Sequence, residues 1–474
     1  MFKRSWLLAL LLVLMLPIIV ACGGETATTA PTSAPAAAAT TAPATGAAAT
    51  TAPMEPTMAP VADATMAPDT GGAMADYNYT AIKVEDGAAL TLVASGNPEE
   101  QKIYQDSIDR FNKVFPNVKV TFEAVAADYP VKIKADAAGG TLGDVFFIDS
   151  GLFNALAPND ILLQLDPYME QIGMKPADFA GPLISIFQLE GKTYGVPKDF
   201  GGLAVHVNNR LAKAGGVTIP TDGEWTWDDF KTAAKTLTTG DGNNKTYGAC
   251  TPADIDRAGA FVYANGGRVL SEDGKTAEFN KPEAVEAITW WHSMYKEGIG
   301  AVPKEIGQDW CGAAFGNEKT AMVVEGGWMF NYMKQSFPTV EYTTVPMPKS
   351  PKTGDRATLL FTNAWGANAA TKYPNAAAAL ITFLVGKTNQ QTIAETGFAV
   401  SSLGALADLP YYKTDVKSGV IAKSAEYGFL AVYGPKNDDF RKPLSDAMEK
   451  IWLGSGDIQS TLDEAAKLAT EAIK

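Results

Sequence analysis

Histidine is almost absent from this chain: His206 and His292 are the only two. Neither has the spacing of a zinc site or a recognisable triad partner, so zinc chemistry and histidine-based nucleophilic catalysis have no foothold, and both rings are expected to be structural. Cysteine is nearly as scarce. Of three, Cys22 belongs to an N-terminal leader, which leaves Cys250 and Cys311 as either a disulfide, allowed in an oxidising compartment, or two small buried thiols. An excess of basic residues is missing too. Lys and Arg number 39 against 53 Asp and Glu, for a formal net charge of −14, which argues against a nucleic-acid partner. After the leader no apolar run is long enough to cross a bilayer. Carboxylates are plentiful, but nothing selects an acid–base pair among them, and no enzyme activity, cofactor or metal is expected.

The leader carries Lys3 and Arg4, then an apolar run from Trp6 to Val20 that is too short and wrongly flanked for a settled transmembrane helix. It ends in Ile19-Val20-Ala21-Cys22 and reads as a secretory signal over residues 1–22. Small residues directly before a cysteine resemble the lipobox of bacterial lipoproteins, in which Cys22 becomes the lipidated first residue. That implies a mature protein tethered to the outer face of the cytoplasmic membrane. Residues 23–76 are almost entirely Ala, Thr, Pro, Met and Gly, with too little to bury to fold, and proline makes them a semi-rigid tether.

The remaining body, about 400 residues, exceeds what one core usually supports, so two domains are expected. Ala89 to Ala94 reads as a buried strand, followed by a helix whose apolar face is Tyr104, Ile108, Phe111 and Phe115. Val118, Val120 and Phe122 alternate with polar residues. Asp144 to Ile148 is a continuous apolar strand after a helix closed by Gly139-Gly140. Strand, helix, strand, helix, strand is the start of a doubly wound α/β fold. In such sheets ligands bind beyond the carboxyl ends of strands, where Asn97, Asp149 and Ser150 stand; each also suits a helix cap.

Paired glycines at Gly201-Gly202 suggest a crossing between lobes, with Asp199 and Phe200 at the hinge facing a cleft or in a surface turn. In Trp225-Thr226-Trp227-Asp228-Asp229-Phe230 the spacing predicts a capping box of Thr226 and Asp229 with Trp225 stapled on Phe230. Asp254, Asp256 and Arg257 follow a strand end, as a polar binding group or a solvated loop. Asn280 and Glu283 are expected to cap a helix in which Trp291 is core. The short apolar run Ala321 to Val324 then stops at Gly326-Gly327-Trp328, where the glycines allow close backbone approach and Trp328 is either a stacking platform at the mouth of a cleft or a core residue after a tight turn. Leu359 to Gly366 reads as a second apolar crossing strand, and two helices close the chain.

In order, Lys192-Thr193-Tyr194-Gly195-Val196-Pro197, Asn208-Asn209-Arg210-Leu211, Trp227-Asp228, Asn265-Gly266-Gly267, the stretch from Lys319 to Trp328 and the Gly397 turn resemble the sugar-type extracellular solute-binding proteins of bacterial ABC importers. The resemblance implies two α/β lobes, residues 77–201 with 367–415 and 202–362 with 419–474, closing on a ligand between them. It implies a carbohydrate stacked on Trp328 beside Gly327, with carboxylates of Asp149, Asp199 and Asp254 on its hydroxyls, and delivery to permease subunits by a lipid-anchored monomer. Trp365 stands where many members have a small residue, and is expected to alter the pocket. The same fold could instead hold a non-sugar solute; a lipid-anchored glycan hydrolase is the alternative from another class.

Overall fold

The computed structural model describes residues 76–474 except Asn97, Ala126, Ala127, Val432 and Pro435, and no more than the backbone of Glu99. The leader with Cys22, the tether up to residue 75 and Asn97 lie outside the described residues.

Strands β1 (Ala89–Ser95), β2 (Lys119–Val125) and β3 (Val145–Ile148) open the first sheet, with β1 parallel to both neighbours. The helix Pro98–Val114 between β1 and β2 buries Tyr104, Ile108 and Phe111, and Phe115 just past its end stacks on Phe111 at 5.0 Å between centroids. A hairpin of β4 (Gln188–Leu189) and β5 (Lys192–Thr193) leads to β6 (Gly195–Gly202). One residue later, β7 (Ala204–Asn208) begins a second sheet with β8 (Tyr247–Cys250), β9 (Gly300–Ala301), β10 (Thr320–Glu325) and β11 (Tyr342–Val345), in the order β11-β7-β10-β8-β9. The chain returns to the first sheet along β12 (Thr358–Ala367), which pairs antiparallel with β3 and β6 and parallel with β13 (Gly428–Leu430).

Both sheets are covered on both faces, and the period-2 alternation of strands shows it. On β1, Leu90, Leu92 and Ala94 enter one core while Val93 enters another; on β10, Met322 and Val324 enter one and Val323 another. The two principal cores separate the lobes. The first gathers Phe111, Trp365 and Leu380; the second gathers Trp225, Trp227, Phe261 and Trp291. The helix Trp227–Leu237 begins with the predicted capping box, and Trp225 lies 5.6 Å from Phe230.

Three local expectations are corrected. Trp365 is only 2% exposed and meets Tyr104 edge-on at 5.3 Å inside the first core, because β12 is flanked by β3 and β6 and its ring faces the covering helices. Asn280 donates to Asp463 at 2.8 Å, and the helix Pro282–Lys296 starts on Lys281 with proline at its first position, which removes one N–H needing a cap. The return to the second lobe also lies later in the chain than residue 419. On β12, Leu359 and Phe361 face the second core and Leu360 the first, while the helix Val416–Ser424 puts Ile421 and Ala422 in the first core and Phe429 packs against the second.

The first described residues are fastened to the first lobe. Asp76 accepts the backbone N–H groups of Lys387 and Thr388 at 3.1 Å each, capping the helix Lys387–Glu395, and also takes the Tyr79 hydroxyl. Tyr77 donates to Asp178 at 2.9 Å. Tyr79 lies so close over Gly386 that a Cβ there would fall 1.7 Å from its hydroxyl oxygen.

In the second lobe a Cys250–Cys311 disulfide joins the end of β8 to the helix Cys311–Gly316 across 61 positions of sequence. His206 on β7 is fully buried. Its Nε2–H donates to the Glu325 carbonyl at 3.0 Å, which leaves Nδ1 to accept from the Thr344 hydroxyl at 2.9 Å. Burial pulls its pKa down to about 4.

Two outcomes follow from these second-lobe contacts. Closing a loop of this size restricts the unfolded chain by about 4 kcal/mol, so the Cys250→Ser/Cys311→Ser variant loses that much in urea unfolding, and an unchanged midpoint disproves the bond. His206 stays neutral in the fold at pH values where the unfolded ring, with its ordinary pKa near 6.5, already binds a proton. Its contribution is therefore complete above about pH 6.5 and is lost as pH falls towards about 4, roughly 3 kcal/mol in all. The difference in stability between wild type and His206→Gln, followed from pH 7 to 4, isolates this dependence; parallel curves reject it.

Candidate ligand-binding site

A cavity of about 740 Å³ lies between the lobes. Asp149, Lys198, Asp199 and Phe200 reach it from the first lobe, Trp328, Asn331, Asp256 and Arg441 from the second, and Phe361, Thr362 and Asn363 of β12 form its floor.

The aromatic wall begins with β10, which delivers Glu325 to the sheet edge. Gly326 and Gly327 turn the chain, and Trp328 opens the helix Trp328–Ser336. The ring is 37% exposed, belongs to none of the cores, and meets Phe361 edge-on at 5.1 Å. Gly326 makes room for it, since a Cβ there would fall 2.2 Å from the ring, and a Cβ at Gly201 would lie in van der Waals contact with it at 3.4 Å. Gly327 lines the cavity beside it.

Glu325, 1% exposed, holds the ring from beneath. It accepts the indole N–H of Trp328 at 2.9 Å and a guanidinium N–H of Arg257 at 2.6 Å, and Arg257 also donates to Asp254 at 3.1 Å. Burial raises the Glu325 carboxyl above its ordinary range, against the opposing pull of Arg257. Burial likewise works against the Arg257 charge, yet Glu325 and Asp254 hold its pKa above the usual arginine value. Asp254 therefore stands outside the cavity. It caps the helix Ile255–Ala264 through the Asp256 N–H at 2.9 Å, and it reaches Trp328 only through Arg257 and Glu325.

On the facing wall, Lys198 is buried and ion-paired with Asp199, with Glu100 at 3.7 Å. Burial works to lower its pKa; the Asp199 carboxylate beside it instead holds the ammonium above the ordinary lysine pKa. Asp149 spends one oxygen capping the helix Ser150–Leu156 through the Leu152 N–H at 2.7 Å, and also borders the cavity. The cap and the cleft position thus coexist. Phe200 packs in the first core with one face on the cavity, and Trp365 does not reach it.

Several cavity residues carried little or no signal in the sequence. Lys198 stands next to Asp199 without a signal of its own, and Arg441, 2.8 Å from Asp256, comes from a helix almost two hundred positions away. Among the described residues no cluster of His, Cys, Asp or Glu could hold a metal ion.

The geometry can clasp a solute that offers an apolar face to Trp328 and polar groups to both walls. Residues 95–391 match the family described as bacterial extracellular solute-binding protein. A binding protein of Brucella abortus is 24% identical over 407 residues, which cover 83% of this chain and 95% of that protein. An ABC substrate-binding protein from Listeria monocytogenes in complex with cycloalternan has a similar fold, with a TM-score of 0.71 and 23% identity over 82% of this chain and 99% of that one. A cyclic alpha-maltosyl-1,6-maltose binding protein from Arthrobacter globiformis gives a TM-score of 0.69 and 19% identity over 82% and 99%. The family match spans more than half of the sequence, and this protein is a member of the bacterial extracellular solute-binding protein family.

Proposed function

We propose that this protein is the lipid-anchored binding subunit of an ABC importer, acting as a monomer, and that it holds an oligosaccharide between its lobes and presents it to the membrane permease. The exposed Trp328 ring, braced by Glu325 at the edge of a cavity otherwise rich in polar groups, is the observation that carries this reading. A sugar ring has apolar C–H faces that stack on an aromatic and hydroxyls that need hydrogen-bond partners, so it meets both kinds of wall at once. Asp149, Asp199, Asn331 and Asn363 are the polar partners assigned here, and the cavity volume lies within the range of about 300–1,000 Å³ usual for small-ligand sites. The carbohydrates named for the Listeria and Arthrobacter proteins support the same class. The Cys22 lipobox supports the anchor.

Calorimetric titration with a panel of neutral oligosaccharides tests the proposal. Saturable binding without chemical change is the expected result. Reducing ends released at a turnover rate would mean a hydrolase, and a panel with no binder would reject the carbohydrate.

Closure around the ligand has to come from contacts that both lobes make with it. Small-angle scattering at saturating ligand should show a smaller radius of gyration than the free protein; an unchanged radius counts against lobe movement.

Trp328→Ala separates platform from support. Removing a central aromatic anchor costs ~2 kcal/mol of binding, a loss of about 30-fold in affinity. The ring is exposed, so the melting temperature of the free protein should stay near that of wild type. A large fall in melting temperature with affinity retained would make the ring a structural element.

A further inference from the structure

A second cavity of about 360 Å³ adjoins the first and shares Phe330, Asn331, Gly397 and Phe398 with it. It also lies between the lobes. Met333, Lys334 and Tyr342 line it from the second lobe, and Tyr411, Asp415 and Lys417 from the segment that precedes the third crossing.

The two cavities differ in the sign and the state of their charges. Glu100, Asp149, Asp199 and Asp256 outnumber Lys198 and Arg441 in the main cavity, and each of those cations is already tied to a carboxylate. Among the described residues no cation lining it is without a carboxylate partner. In the second cavity two lysines stand against one acid, in a protein whose net charge is −14. The acid is occupied: Asp415 accepts the hydroxyls of Tyr411 at 3.1 Å and Ser418 at 2.6 Å, and caps its own helix through the Ser418 N–H at 3.4 Å. Lys417 makes no ion pair with any described residue. Its ammonium lies 3.6 Å from the centroid of the Tyr342 ring on β11 and so bridges the lobes. Burial pulls its pKa down, with Asp415 only partly offsetting this, which is the condition of a cation that a bound anion would stabilise.

We propose that the second cavity is a subsite for an anionic substituent of the glycan, a carboxylate or a sulfate, with Lys417 as its counter-ion. The neutral part of the chain then lies on Trp328, and the acidic unit passes Asn331 and Phe398 into the side cavity. This rests on the carbohydrate reading above and narrows it to acidic glycans. Because Lys417 touches Tyr342 across the cleft, the same anion adds a contact that exists only when the lobes are together.

The test is calorimetric titration of the full-length protein with maltotetraose and with cycloalternan, each beside derivatives carrying a single C6 carboxylate or a single C6 sulfate, placed for maltotetraose on either terminal unit in turn. At least one acidic derivative should bind about tenfold more tightly than its parent, the size of one charge-assisted hydrogen bond, and the gain should shrink with added salt. Lys417→Met should abolish the gain, so that parent and acidic derivative bind the variant alike; Lys417→Arg should keep the gain. A carboxylate or sulfate that alone gives the gain identifies the chemistry. Parents that bind as tightly as every derivative, or a gain that survives in Lys417→Met, overturn the subsite and leave the carbohydrate reading standing. Failure of every parent and derivative to bind rejects both.

Discussion

The main chains of Leu203 and Leu359 hydrogen-bond at the one place where this polypeptide passes between lobes, the Leu203 N–H to the Leu359 carbonyl at 3.3 Å. The Thr358 hydroxyl reinforces the contact at 2.8 Å on the Leu203 carbonyl, and Phe429 lies in register with Leu359 on the other side. Three crossings that could have been scattered are thus laid side by side as one strip of sheet. The cavity sits directly in front of it, with β12 as floor, which is why residues from distant parts of the sequence converge there.

Charge placement obeys the same economy of position. Burying a charge is costly unless a partner comes with it, and the groups around the main cavity arrive in sets: Lys198 with Asp199 and Glu100, Arg441 with Asp256, Arg257 with Glu325 and Asp254. Each set is confined to its own lobe. A relative movement of the lobes would therefore break no ion pair of these sets.

Local rules were legible in the sequence. The Tyr104–Phe115 stripe, the Thr226 capping box, buried Trp291 and the glycine pair at the first crossing each depend on a few adjacent residues, and each is found where its pattern placed it. What the sequence left open depends on which side of an element faces what. An apolar strand ending in Trp365 reads the same whether the ring meets solvent or helix, and only pairing with β3 and β6 decides it. Asp149 and Asp254 both follow strand ends and both cap helices, yet only Asp149 also borders the cavity, because Asp254 turns to Arg257. Arg441 carries no local mark, since its partner Asp256 meets it through tertiary packing alone.

The attachment of Asp76, Tyr77 and Tyr79 makes the two lobes mechanically unequal. Whatever holds the chain upstream of Asp76 is joined to the first lobe through a helix cap, a tyrosine–aspartate bond and the close fit of Tyr79 over Gly386. The chain enters the second lobe only after β6, so the first described residues are fastened to one lobe and not to the other.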